Sequence, residues 1–244
     1  MKNLEQQSLS HIALEHFEVI PVLEKYSLDF CCRGNKSLSE ACAEKNISLS
    51  TVIAEMQEAT FATRPIIPFT EMNAEQLISY ILLHHHFYVR NTLPVIIDLL
   101  DKLVTKHGDR YPKMIKVYQL FIAVKEELEP HMEKEEKILF PRIKEIAALS
   151  LQHKKIDHAP AYINAPVAVM EMEHDNAGQL MFEIRHITGN YIAPDDACTT
   201  HRVCLEALKA FETDLHQHVH LENNILFPIA AAIMNKNVQE QYLI

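Results

Sequence analysis

One stretch of sequence occurs twice in this chain of 244 residues, and it decides the fold. Its first copy, HMEKEEKILFP, spans residues 131–141, and its second copy, HVHLENNILFP, spans residues 218–228. Six of the eleven positions are identical, and the two copies are offset by 87 residues. An internal repeat at this period, with helical spacing inside each copy, indicates a duplicated unit of two helices.

Each copy places a histidine four residues before a glutamate. Residues i and i+4 lie on one face of a helix, so His131 and Glu135 point the same way, as do His218 and Glu222. Apolar neighbours at helical spacing turn both of these faces towards the core. A buried glutamate is costly unless it is paired or binds a metal. Two such pairs meeting in one core therefore predict a metal site.

Single histidines on the other two helices extend this prediction. His174 precedes His218 by 44 residues, and His86 precedes His131 by 45 residues. At a rise of about 1.5 Å per residue, antiparallel packing brings the imidazoles of His86 and His131 to one level. This symmetry favours His86 over the two histidines that directly precede it.

The resulting set of four imidazoles and two carboxylates suits two metal ions bridged by the carboxylates. Its members are His86, His131, Glu135, His174, His218 and Glu222. Imidazole and carboxylate ligands without thiolate favour non-haem iron, with manganese or zinc as alternatives. Further acids are candidates to orient the imidazoles or to relay protons. They are Glu127, Glu173 and Asp214.

The rest of the chain also has a helical period, without a convincing strand pattern. Four long helical stretches joined by short breaks predict an antiparallel four-helix bundle. They cover approximately residues 73–106, 112–149, 166–188 and 197–234. We expect a small N-terminal helical domain over residues 1–60, a proline-containing linker over residues 61–72 and the bundle over residues 73–236. The fold class predicted is therefore all-α.

Composition argues against several classes of protein. The chain has 23 Lys+Arg and 33 Asp+Glu, and its net charge of −10 makes nucleic acid an unexpected partner. It contains no run of about 18 apolar residues, so no membrane span is predicted. The polar N-terminus lacks the features of a secretory signal. Five cysteines, an odd number, favour reduced thiols in a cytoplasmic protein over a disulfide scaffold.

The vicinal pair Cys31–Cys32 is the second candidate site. Adjacent cysteines seldom form a structural disulfide, and two thiols are too few for a closed zinc site. One interpretation is two small residues at a turn. The other is a thiolate pair, helped by Arg33 and the N-terminus of the following helix, that handles iron or redox exchange.

Together with Asp29-Phe30-Cys31-Cys32, the predicted ligand set resembles the bacterial iron–sulfur cluster repair di-iron proteins, the RIC family, over almost the whole chain. The resemblance implies an N-terminal domain with vicinal cysteines and a haemerythrin-like antiparallel four-helix bundle. It also implies a non-haem di-iron centre bridged by Glu135 and Glu222, which serves to restore clusters damaged by nitric oxide or peroxide. Arg33 departs from the family, which usually continues with glycine after the cysteine pair.

Three functions share these ligands. In the first, the di-iron centre donates iron or electrons to damaged iron–sulfur proteins, which are then its partners. The alternatives are a haemerythrin-like sensor or carrier that binds NO or O₂, and a di-iron NO reductase, so the ligands alone leave open whether the protein is an enzyme. The cysteine pair favours repair, since a plain O₂ carrier needs no thiols. A homodimer remains an open alternative to a monomer.

Overall fold

The protein is helical throughout the part that the structure describes. The computed structural model describes residues 4–32, 34–61 and 67–241. Within these ranges there is no β-strand, and the only extended pairing is one isolated bridge between Ser8 and Ser37. The predicted all-α class is confirmed. None of the described helices combines the length and the hydropathy that a bilayer crossing requires.

The N-terminal unit consists of short helices whose ends follow from local sequence. These are α1 (Leu9–Glu15), α2 (Ile20–Lys25), α3 (Leu38–Glu44) and α4 (Leu49–Phe61), with 3-10 turns at Leu4–Gln6 and Phe17–Val19. The Ser37 hydroxyl accepts from the Glu40 amide (3.3 Å), and the Glu40 carboxylate accepts from the Ser37 amide (3.0 Å), which closes a capping box on α3. Pro21 lies in the first turn of α2, where its missing N–H is tolerated. Arg33 and residues 62–66 of the predicted linker lie outside the described residues.

Four long helices follow and form the bundle, preceded by a 3-10 turn at Phe69–Glu71. A π-helical turn interrupts the first, second and fourth of them. The first bundle helix consists of α5 (Ala74–Tyr80), a π turn (Ile81–His86) and α6 (Phe87–His107). The second consists of α7 (Lys113–Lys134), a π turn (Glu135–Leu139) and α8 (Phe140–Leu151). The third is α9 (Ala161–Ile187), and the fourth consists of α10 (Thr199–Leu221), a π turn (Glu222–Leu226) and α11 (Phe227–Gln241).

The third bundle helix begins at Ala161, ahead of the start predicted at Pro166. A proline inside a helix has no N–H to donate to the carbonyl four residues earlier, which here belongs to Tyr162. The guanidinium of Arg142, on the second bundle helix, donates to that carbonyl instead (Nη1 to O, 2.9 Å). Because the replacement donor comes from another helix, sequence periodicity could not reveal that the helix continues through the proline.

The apolar core of the bundle divides into two clusters along the helix axes. On the first bundle helix, Ile81 belongs to one cluster and Val89 to the other; on the third, Met170 and Ala177 divide in the same way. Two of the predicted ligands lie between these positions, His86 on the first bundle helix and His174 on the third. The cluster that contains Val89 also includes Phe30, so the N-terminal unit and the bundle share one core. The polar site is therefore enclosed by apolar packing on both sides.

Candidate metal centre

The repeated sequence places its two glutamates at π-helical turns. Glu135 and Glu222 each begin such a turn, and each turn ends two residues before a proline, Pro141 or Pro228. A proline ring clashes with the carbonyl four residues earlier, and that carbonyl lies inside the π turn in both copies. The shared Ile-Leu-Phe-Pro segment thus accounts for the departure from α-helical geometry. Single π turns of this kind are frequent at functional sites.

The structure brings the six predicted ligands together in the core, where each is at most 1% exposed. They form two overlapping groups, and both groups contain Glu135 and Glu222. Within each group, the candidate ligand atoms all lie within 4.8 Å of one another. The first group is completed by His86 and His218, and the second by His131 and His174. The two groups therefore share both carboxylates, and each of them could hold a metal ion.

Every imidazole of the cluster turns its Nε2 atom towards one of the two carboxylates. The Nε2-to-oxygen distances are 3.3 Å for His86–Glu135 and His131–Glu135, and 3.1 Å for His174–Glu222 and His218–Glu222. The two imidazoles of the second group also approach each other, with 3.1 Å between the Nε2 atoms of His131 and His174. Nitrogen and oxygen donors therefore converge on one small volume.

On the side of the ring that faces away from the cluster, three of the imidazoles contact a side-chain oxygen through Nδ1. The pairs are His86 with Glu136 (2.7 Å), His131 with Glu173 (3.0 Å) and His174 with Asn223 (2.9 Å). Carboxylate and amide oxygens only accept, so we assign the ring proton to Nδ1, which leaves the Nε2 lone pair facing the cluster. Nδ1 of His218 has no hydrogen-bond partner in the described part of the chain.

The cluster fits a cation because several of its buried polar atoms have no hydrogen-bond partner in the part of the chain that the structure describes. Among the described residues, Nε2 of His86 and both carboxylate oxygens of Glu135 have no hydrogen-bond partner, which is unusual for buried polar atoms. Burial and the negative charge of Glu222 raise the pKa of Glu135 well above its usual range. Burial and the charge of His218 lower the pKa of His86 to about 4. Imidazoles beside two crowded carboxylates are a donor set that a metal ion completes.

The three acids predicted to support the imidazoles have different surroundings. Glu173 contacts His131, as noted above. Asp214 pairs with Nδ1 of His85 (3.0 Å), whose ring stacks on that of His218 with 5.4 Å between the centroids. Glu127 is half-buried and makes no hydrogen bond with an imidazole in the described ranges. The support that Asp214 gives to the cluster is thus indirect.

Sequence analysis missed two of the Nδ1 acceptors, Glu136 and Asn223. Each lies one residue after a glutamate of the repeat, and the two positions are equivalent at the offset of 87 residues. A polar residue at this position in both copies was the available signal. It was overlooked because a polar residue beside a ligand on a helix ordinarily faces solvent.

The cysteine pair lies beside this cluster, where the N-terminal unit meets the bundle. Oδ1 of Asp29 accepts hydrogen bonds from the amides of Cys31 (3.1 Å) and Cys32 (3.0 Å). Asn224, two residues after Glu222, donates from its amide to the Cys31 carbonyl (3.3 Å). Both thiols are free. Their participation in chemistry stays a prediction.

Fold and cluster together define a class, the haemerythrin-like cation-binding bundles. Residues 77–230 match the haemerythrin HHE cation-binding domain. Residues 5–60 match a domain of unknown function, DUF542. The cation-binding bundle therefore occupies most of the chain, and the vicinal cysteines lie in the second domain.

Within this class, the chain is similar to two relatives over nearly their full length. The chain is 35% identical to the probable iron-sulfur cluster repair protein of Haemophilus influenzae over 226 residues, which cover 91% of this chain and 96% of the relative. It is 34% identical to the iron-sulfur cluster repair protein YtfE of Escherichia coli O8 over 229 residues, which cover 93% and 97%. The chain belongs to the iron–sulfur cluster repair family, as the resemblance implied.

Proposed function

We propose that this protein repairs iron–sulfur clusters damaged by nitrosative or oxidative stress, using two non-haem iron ions held between Glu135 and Glu222. The observation that carries the proposal is the pair of overlapping ligand groups that share both carboxylates. Relatives named for cluster repair, which align over almost the whole chain, support the same function. The partners on this proposal are damaged iron–sulfur proteins of the cytoplasm, where free thiols persist.

In the proposed centre, His86 and His218 would hold one iron and His131 and His174 the other, and Glu135 and Glu222 belong to both ligand groups. Once bound, the metal would provide iron or electrons for the damaged cluster. The protein's own groups prepare the site: acceptors behind three imidazoles fix the tautomers that direct Nε2 inward. Burial and the charge of Glu222 raise the pKa of Glu135, so cation binding would compete with protonation of this carboxylate, because ligands bind metals in their deprotonated form.

Burial of the centre limits what reaches it. The six side chains are at most 1% exposed, and apolar clusters cover them on both sides. Bulk water and large reductants are therefore kept from the ligands, whereas small diatomic molecules need little space to enter. Carboxylates that can change from bridging to terminal binding would allow an ion to leave without unfolding the bundle.

The test is repair of a nitric-oxide-damaged iron–sulfur dehydratase by the iron-loaded protein under anaerobic conditions. We expect dehydratase activity to recover in proportion to the loaded protein, and isotope-labelled iron to appear in the repaired enzyme if iron is donated. Recovery without transfer of the label would identify electron donation as the route. The matched control is Glu135→Gln, which keeps the side-chain volume but removes a bridging carboxylate, and which should not restore activity.

The same assay separates the competing functions. Failure to recover activity, with no iron lost from the centre, would contradict the proposal. Formation of N₂O over many turnovers without recovery of the dehydratase would instead identify an NO reductase. Reversible binding of NO or O₂ with neither outcome would identify a sensor or carrier.

A further inference from the structure

A second group of candidate ligands lies outside the bundle cluster. It consists of Asp29, Cys31 and Cys32, whose candidate ligand atoms lie within 4.8 Å of one another. We propose that the carboxylate of Asp29 and the sulfur atoms of Cys31 and Cys32 bind one divalent transition-metal ion. That the bound ion is ferrous iron, on its way from the bundle to a damaged iron–sulfur protein, rests on the proposed function. The existence of the binding site does not.

The spacing of the donor atoms matches tetrahedral coordination. The two sulfur atoms are 3.8 Å apart, and Oδ1 of Asp29 is 3.4 Å from the Cys31 sulfur. With metal–sulfur bonds of about 2.3 Å and metal–oxygen bonds of about 2.0 Å, tetrahedral angles put two sulfurs about 3.8 Å apart and sulfur and oxygen about 3.5 Å apart. An ion could thus bind without a large movement of the three side chains.

The loop holds this geometry through its backbone. The two amide donors of the cysteines keep the Asp29 oxygen beside the sulfurs. Gly34 closes the loop at a place where a Cβ atom would come within 2.5 Å of the Phe30 carbonyl oxygen, so the close approach requires glycine. Preorganised donors lose little entropy on binding, which favours a site over a chance cluster.

Electrostatics give the group a reason to bind a cation. The hydrogen bond from Cys31 to Cys32, burial, and the charge of Asp29 raise the pKa of the Cys31 thiol well above its usual range. With 3.8 Å between the sulfur atoms and 3.4 Å between Asp29 Oδ1 and the Cys31 sulfur, two thiolates and a carboxylate would repel one another. A divalent ion removes this repulsion and releases the thiol protons to solvent when it binds.

Placement of the pair suggests exchange with the bundle. Its three donors leave a fourth coordination position, and the site borders a cavity of about 280 Å³ lined by both the N-terminal unit and the bundle. The Cys32 sulfur faces Gly178, at 3.9 Å from where a Cβ atom would lie. Gly178 is one helical turn, about 6 Å, beyond His174. A three-donor site so close to a six-ligand centre is suited to hold an ion transiently.

The experiment uses the full chain with its bundle centre already loaded with iron, titrated anaerobically with Co²⁺. Cobalt bound by thiolate gives a ligand-to-metal charge-transfer band in the near ultraviolet, and the bundle cluster contains no thiolate that could produce it. We expect one equivalent of cobalt to develop the band. The double variant Cys31→Ser/Cys32→Ser should abolish it, and Asp29→Asn, which keeps the acceptor for the two amides, should weaken cobalt binding about tenfold or more.

Cys198→Ser, at a partly exposed free thiol elsewhere in the chain, is the matched control and should leave the band unchanged. No band in the unmodified protein with a full thiol titre would overturn the proposal, as would a band that survives the double substitution or disappears in the control. Circular dichroism checks that each variant keeps its helices. If the cobalt band is absent but the dehydratase is repaired, the cysteine site is wrong and the proposed function stands. If the band develops but the dehydratase is not repaired, the cysteine site stands and the proposed function is wrong.

Discussion

The two copies of the repeat carry the same ligands in different surroundings. In the first copy, Glu136 accepts from His86 and also pairs with Arg90 near the surface (2.8 Å). At the equivalent position of the second copy, the neutral Asn223 accepts from His174. The candidate ligands of the two copies are equal in number and type. The acceptor that each copy offers to an imidazole of another helix is charged in the first copy and neutral in the second.

A second difference between the copies is their contact with the N-terminal unit. This unit covers the second copy, where Asn224 donates to the Cys31 carbonyl and the ring of His220 packs against Phe30 with 5.3 Å between centroids. The first copy has the exposed Lys137 at the position of Asn224. Charged side chains would be costly under the covering domain. The two copies thus share their candidate ligands, whereas the second copy also contacts the N-terminal unit.

Removing either shared carboxylate should have the largest effect. Because both ligand groups contain both glutamates, Glu135→Gln and Glu222→Gln should each lower iron from about two per chain to well below one. Iron analysis after anaerobic loading measures this. Glu133→Gln, an exposed acid paired with Lys137, is the control and should keep its iron. Loss of only one iron in either glutamine variant would show that the carboxylates are not both shared.

Each substitution of a single ligand histidine should remove one of the two irons and leave the other bound. His86→Ala should lower iron content to about one per chain, and His131→Ala should do the same at the other position, since each removes one of a few ligands of a single ion. His84→Ala, at an exposed ring stacked on Tyr80, should leave both irons bound. Spectroscopically identical remaining irons in the two ligand variants would argue against two separate positions.

Exchanging the groups behind the imidazoles should give a smaller change. Glu136→Asn makes the first copy resemble the second and should weaken iron binding at the His86 position by about tenfold, because a carboxylate acceptor makes an imidazole a stronger ligand. Asn223→Ala should weaken the His174 position less, because it removes only a neutral acceptor. Competition with a chelator measures both affinities, and equal losses would contradict the difference drawn between the copies.

Loosening the docked domain should have the smallest effect. Asn224→Ala removes hydrogen bonds to the Cys31 carbonyl and to His220 (3.0 Å), and should lower the free energy of unfolding by about 1–2 kcal/mol. Asn91→Ala, which removes an exposed hydrogen bond, should change it by no more than about 0.5 kcal/mol. Urea denaturation of the iron-free protein checks both values. An equal change in the free energy of unfolding for the two variants would show that Asn224 does not stabilise the contact between the N-terminal unit and the bundle.

Much of the bundle could be predicted because its signals are local and repeated. The helical period located all four long helices. The offset of 87 residues selected the two His/Glu pairs, and the spacings of 45 and 44 residues selected His86 and His174, which the structure brings together with them. The π turns were not predicted, since one inserted residue per turn is invisible in an average period. The partners of the imidazoles, such as Glu136, were missed because they depend on contacts between helices.

The proposed function requires two iron ions between Glu135 and Glu222. This requirement is tested most directly by a crystal structure of the anaerobically loaded protein, with anomalous scattering recorded on both sides of the iron absorption edge. We expect two iron peaks about 3.5 Å apart, each contacted by two imidazoles and by both glutamates. A single peak, or iron bound away from the two glutamates, would contradict this expectation.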